Sequence, residues 1–215
     1  MEKRINIAIA EDHDMVRQGF IRMLGDYKEF RILFEAQNGS VLLSKLQDFE
    51  PDVLLLDIKM PVMDGQTAMK EIKSKYPTIK IIVISAHSEY ELIIQNVRLG
   101  ANGFLPKHAG IETLKTAITH VVEDGFFFED DILDLLDKAG LSPLGGIKPL
   151  NTKEKEILVL LCENRSPDDI CTLARIQLGT VRWYKNRIMN KTNTKDLHEL
   201  REYALKHKYL QKKAT

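Results

Sequence analysis

Five residues of this 215-residue chain carry side chains that could handle a phosphoryl group: Glu11, Asp12, Asp57, Ser85 and Lys107. Three carboxylates drawn into one crevice repel one another unless a hard cation sits among them. Mg²⁺ suits such a site, because it takes oxygen ligands and leaves room for waters and a phosphate oxygen. A lysine in the same crevice adds a cation for phosphoryl oxygens, and a serine hydroxyl adds a hydrogen bond. Together these groups hold a phosphoryl group in line with one carboxylate, by positioning and electrostatics rather than acid–base chemistry. Asp57, closing an apolar run, is the carboxylate placed to accept it.

The elements that must bring these residues together are legible in the hydrophobic pattern. Short Val/Ile/Leu runs over 5–10, 31–35, 53–57, 79–85 and 103–105 alternate with helical periodicity over 15–25, 41–49, 66–75, 90–99 and 111–124. Continuous apolar strands bounded by Pro and Gly are the signature of parallel strands buried on both faces. Five βα units predict an α/β domain with a doubly wound five-stranded parallel sheet. Its binding crevice lies at the carboxyl ends of the strands, where Glu11, Asp12, Asp57, Ser85 and Lys107 fall.

The rest of the chain bounds the answer. No apolar run approaches the roughly 18 residues of a membrane helix, and the N-terminus is no signal peptide. Cys162 and Cys171 lack metal-ligand partners, so neither a disulfide scaffold nor a zinc site is expected and a cytoplasmic protein is. The balanced charge hides an asymmetry: residues 1–125 and 126–149 each carry a net −3, and residues 150–215 carry +6. A basic tail behind an acidic front half suggests contact with an anion such as nucleic acid.

The motifs EDHDMVRQGF (11–20), LLLDIKMPVMDG (54–65), ISAH (84–87) and GFLPK (103–107) closely resemble the receiver domain of bacterial response regulators, with a flavodoxin-like fold. The resemblance implies that Asp57 takes a phosphoryl group from a phosphohistidine of a sensor histidine kinase. Glu11, Asp12, Asp57 and the backbone carbonyl of Lys59 would hold Mg²⁺. Ser85 and Lys107 would bind the phosphoryl oxygens, and Phe104 sits at the aromatic switch position. An aspartyl-phosphate phosphatase of the haloacid-dehalogenase type would need an aspartate two residues past Asp57, where Lys59 stands. A nucleotide-binding domain would need glycines where Glu11-Asp12-His13 stand. Lys59 also departs from the usual receiver pattern, and with His87 it flanks the route of the hydrolytic water, so the two should set the phosphoryl lifetime.

Residues 126–139 offer a short amphipathic helix, and LSPLGGIKP (141–149) has the composition of a linker. Beyond it the periodicity is helical throughout. Asn151 and Glu154 form a capping box, Ser166-Pro167-Asp168-Asp169 starts a second helix, a third runs from about 177 to 190, and a fourth follows Thr194. The second and third, joined by a short turn, match a helix-turn-helix. Segments 150–158 and 180–188 (LNTKEKEIL, TVRWYKNRI) resemble the LuxR/NarL-type DNA-binding domain, which is a small all-α four-helix unit. Ala174, Tyr184 and Thr192 replace the leucine, histidine and leucine usual there.

From Arg175 to Lys191, the stretch that contains the third helix, there are five basic residues and no acid: Arg175, Arg182, Lys185, Arg187 and Lys191. In a recognition helix, Arg182 and Asn186 would reach guanine and adenine edges, Trp183 would pack on sugar or thymine methyls, and Thr180, Lys185 and Lys191 would complete the contact to double-stranded DNA. The expected organisation is thus a receiver over 3–125, a linker over 126–147 and a DNA-binding domain over 148–212, acting as a phosphorylation-promoted homodimer. A phosphorylation-controlled adaptor, whose tail binds protein instead of DNA, is the alternative.

Overall fold

The computed structural model describes residues 4–87, 89–141, 150, 152–174, 176 and 178–210. The chain forms two units, Met1–Leu141 and Ser142–Thr215. The first alternates β1 (Ile5–Ala10), α1 (Asp14–Gly25), β2 (Phe30–Ala36), α2 (Gly39–Lys45), β3 (Val53–Asp57), α3 (Gly65–Lys75), β4 (Lys80–Ser85), α4 (Tyr90–Arg98), β5 (Gly103–Pro106) and α5 (Ile111–Glu123). The sheet order is β2-β1-β3-β4-β5 with every pair parallel, so the direction of winding reverses between β1 and β3. All five residues of β3 are buried, as a central strand covered on both faces requires.

Asn38, not the run from 41, starts α2: its side chain accepts a hydrogen bond from Val41 N–H, and the helix closes at Lys45. Asp64 caps α3 in the same way through Thr67 N–H.

A larger difference follows α5. The composition predicts a linker from residue 126, but the chain through Leu141 is built into the first unit. Phe127 bridges to Gly103 beside the outer edge of β5, and its N–H donates to Asn102 O at 2.8 Å. A Cβ on Gly103 would stand 3.0 Å from the Phe127 carbonyl oxygen, so the close approach calls for glycine there. The Asn102 side chain ties the junction, accepting from Ile81 N–H and Lys73 Nζ and donating to Gly125 O. Helix α6 (Asp130–Lys138) packs against α4, and Phe128, Ile132, Leu133 and Leu136 are buried in the same apolar layer as Phe104 and Ile93. Amphipathicity reveals such a helix; what it packs against is not in its own residues. The proline- and glycine-bearing part of the expected linker, 142–149, lies outside the described residues.

The second unit contains α7 (Thr152–Cys162), α8 (Pro167–Ala174), α9 (Leu178–Thr192) and α10 (Leu197–Lys206). Ile157, Leu158, Ile170, Val181, Ile188, Leu200 and Ala204 are buried in this unit. The start of α8 is as its sequence predicts. Ser166 Oγ accepts from Asp169 N–H at 3.1 Å, and Asp169 reaches back to Ser166. The Asn151 half of the expected α7 capping box, Arg175 and the boundary residues 3, 148 and 212 lie outside the described residues.

Candidate functional site

Parallel register places the ends of β1, β3, β4 and β5 at one rim. Asp57 pairs with Ile84, one residue before Ser85, and Ser85 pairs with Pro106, one residue before Lys107. Glu11, Asp57 and Ser85 are buried there. Lys107 Nζ lies 2.8 Å from Glu11 Oε2 and 3.0 Å from Asp57 Oδ2, joining the first and last strands of the rim. Arg17 donates to the Glu11 carbonyl at 2.8 Å and to Glu35 at 2.6 Å, which fixes the chain as it leaves β1.

Burial raises the pKa of Asp57 above the ordinary carboxylate value, and the Glu11 charge pushes the same way. The Lys107 hydrogen bond and the N–H of Lys59 oppose this without cancelling it. For Lys107, burial acts to lower the pKa, but the hydrogen bonds to Glu11 and Asp57 outweigh it and the net shift is upward. The lysine therefore stays a cation.

Glu11, Asp12, His13 and Asp57 each offer a ligand atom, all within 4.8 Å of one another. Asp12 Oδ1 is buried and makes no hydrogen bond among the described residues, facing His13 Nδ1 at 2.9 Å. The three carboxylates of this set supply hard oxygens that fit a divalent cation of the Mg²⁺ type.

The turn after Asp57 is tightly folded. A Cβ on Gly65 would fall 2.1 Å from the Asp57 carbonyl oxygen, so only glycine permits the chain to return this close to the backbone of Asp57. Above it, Lys59 Nζ lies 2.9 Å from His87 Nε2, and His87 Nδ1 lies 3.3 Å from Glu89 Oε1. The spacing of Lys59 and His87 marks both as pocket neighbours; Glu89 is the member that their spacing does not disclose. Phe104 is buried in the apolar layer rather than exposed at the surface.

In the second unit the expected contact residues separate into two groups. Arg182 is exposed, and Thr180, Lys185 and Asn186 are partly exposed. Trp183 and Tyr184 are buried, and the Arg187 guanidinium lies over the Trp183 ring at 4.9 Å. Glu154 on α7 is fully buried and binds Arg187 Nε at 2.5 Å and Lys191 Nζ at 2.6 Å. Trp183 and Lys191 thus face inward rather than outward for a ligand. The charge count on α9 could not reveal this, because the acid that consumes it lies 33 and 37 residues away.

A doubly wound sheet with this acidic rim and a lysine after β5 is a flavodoxin-like receiver. The profile of the response regulator receiver domain family matches residues 7–119, and the chain belongs to that family.

Full-length relatives place it further. It is 29% identical to the oxygen regulatory protein NreC of Staphylococcus haemolyticus, over 96% of this chain and 99% of that protein. To NreC of Staphylococcus aureus (strain bovine RF122 / ET3-1) it is 31% identical, over 96% of this chain and 100% of the other. Among solved structures, it is similar to the RcsB response regulator of Salmonella typhimurium, with 25% identity, a TM-score of 0.57, and coverage of 94% of this chain and 98% of that one. The receiver domain of the NarL response regulator from Mycobacterium tuberculosis matches at 29% identity and a TM-score of 0.55, over 57% of this chain and 98% of its own.

Proposed function

We propose that this chain is a transcription regulator of a two-component system, switched by phosphorylation of Asp57 and acting on double-stranded DNA through α8 and α9. The single observation that carries the first half is the contact of Lys107 with both Asp57 and Glu11 at the rim. It sets a cation beside a buried carboxylate.

In this reading an Asp57 oxygen attacks the phosphorus of a phosphohistidine on a sensor histidine kinase. The P–N bond breaks as the new P–O bond forms, and the imidazole departs. Lys107 moves its hydrogen bonds toward the phosphoryl oxygens, Ser85 Oγ donates to another, and Phe104 follows the change in packing. Glu11, Asp12, Asp57 and the Lys59 carbonyl would hold Mg²⁺, which supplies charge neutralisation of the phosphoryl oxygens when bound.

DNA recognition falls to Arg182, Lys185, Asn186 and Thr180, the members of the α9 set with exposed surface, with Trp183, Arg187 and Lys191 fixing the helix from behind. The similar RcsB protein forms dimers bound to DNA, at 25% identity and a TM-score of 0.58 over 94% of this chain, which supports a phosphorylation-promoted homodimer here. A cytoplasmic location agrees with the kinase and DNA partners; among the described residues no helix is long and apolar enough to cross a membrane. The division of labour is a phosphoacceptor unit ahead of the 142–149 segment and a DNA-binding unit after it.

The test is radiolabelling of the full chain by acetyl phosphate with Mg²⁺, followed by binding to promoter DNA. Asp57→Asn should abolish the label and the phosphate-dependent gain in DNA affinity. Undiminished labelling of that variant removes Asp57 from the role.

A further inference from the structure

Lys59 and His87 lie on the two loops that leave the pocket, each two residues beyond a pocket residue. Lys59 Nζ stands 2.9 Å from His87 Nε2. An ammonium has donors and no acceptor, so Nε2 receives the hydrogen bond and the ring proton sits on Nδ1. That proton points to Glu89 Oε1 at 3.3 Å. Glu89 is the N-cap residue of α4, yet its side chain caps no helix N–H; it is turned to the imidazole instead. The backbone N–H of His87 meanwhile donates to Ser85 Oγ at 3.1 Å. One chain of contacts therefore runs from the loop after β3, through the loop after β4, to the first turn of α4; it engages the Lys59 ammonium and places the His87 N–H on Ser85 Oγ.

We propose that Glu89 and His87 are positioning residues that hold the Lys59 ammonium in the unphosphorylated state, and that phosphoryl oxygens on Asp57 compete with His87 for it. The inference rests on Asp57 being the phosphoacceptor. A phosphoryl group carries a charge near −1.5 to −2, whereas the imidazole facing Lys59 is neutral, so the ammonium gains by changing partner. Losing Lys59 leaves His87 without its anchor across the pocket. The β4–α4 loop, to which Ser85 Oγ is joined through the His87 N–H, is then free to move, and the resting contact sets how much phosphoryl affinity the switch must overcome. The N-cap of α4 contributes through Glu89, which holds the Nδ1 proton and leaves Nε2 as the atom that Lys59 meets.

The experiment uses the full chain with Mg²⁺ and beryllium trifluoride, a phosphoryl mimic that binds without hydrolysis, with occupancy read by fluorine NMR. His87→Ala should lower the concentration for half-occupancy roughly 3- to 10-fold, the scale of one ordinary solvent-exposed hydrogen bond. Lys59→Met should raise it. In the Lys59→Met background, His87→Ala should have no further effect, because its whole action passes through the ammonium. The same gain from His87→Ala with and without Lys59, or no gain at all, overturns the proposal while leaving Asp57 as acceptor. A wild-type chain that takes up no beryllium trifluoride overturns the acceptor assignment and this inference with it. Both side chains are exposed enough that neither substitution opens a cavity in the fold.

Discussion

Arg187 Nε meets Glu154 Oε1 at 2.5 Å with neither residue exposed, tying α9 to α7 from the inside. Lys191 approaches the same carboxylate at 2.6 Å. Removing the shared acid takes away the carboxylate that both cations meet in the interior. Glu154→Ala should cost the second unit about 3–5 kcal/mol, the usual consequence of stranding a buried charge. Trp183 is the single tryptophan of the chain and is buried in that unit, so its fluorescence during urea unfolding reports the loss directly. A cost below about 1 kcal/mol would mean that the pair is replaceable by water.

The same pair separates the basic residues of α9 by role. Lys185 is partly exposed, whereas the Lys191 side chain is only 8% exposed and is bound to Glu154. Lys185→Ala should lower the slope of log affinity against log salt by about 1, whereas Lys191→Gln should leave the slope unchanged. Arg182→Ala should weaken binding to a specific site by about 1–3 kcal/mol and relax base preference at one position. Fluorescence anisotropy across a salt series measures all three.

Asp57 makes stability depend on pH in a defined sense. Its folded-state pKa is raised, chiefly by burial, so the folded state binds the proton more tightly than the unfolded chain. Stability from this group is therefore full below the unfolded carboxylate value and is lost as pH rises through the folded value. At neutral pH the ionised side chain opposes folding. Asp57→Asn should accordingly raise the thermal midpoint of the first unit at neutral pH, with the gain shrinking in acid. Circular dichroism from acid to neutral pH decides it; a gain that grows on acidification would reverse the sign.

Leu136 tests whether α6 belongs to the core of the first unit. It is fully buried among residues that include Phe104 and Phe128. Leu136→Ala should destabilise that unit by about 2–5 kcal/mol, as core truncations of this size do. A shift near zero in chemical denaturation would return the helix to the status of a tether.

Where local pattern carried the information, the sequence and the structure agree. Apolar runs locate the strands because parallel strands are buried on both faces, and their ends locate Glu11, Asp57, Ser85 and Lys107 because a doubly wound sheet has one binding rim. Ser166 and Asp169 announced their own capping contact, three residues apart. Relations that span long stretches of chain were not legible. Nothing near Lys191 marks it as the partner of Glu154, nothing near Leu136 marks β5 and α4 as its neighbours, and Glu89 reads as an ordinary first-turn acid until His87 is seen beside it.

The junction at Gly103, Asn102 and Phe127 bears on how this architecture can be rearranged. Recombination that joins receivers to new output domains is free to cut wherever a module is self-sufficient. Ending this one after α5 would strip Phe128, Ile132, Leu133 and Leu136 from their layer and lay bare a greasy seam along β5 and α4. A chimera spliced there would be sticky and short-lived in the cell. One spliced beyond Leu141 would carry its own cover, so the exchangeable cassette here is longer than five βα repeats.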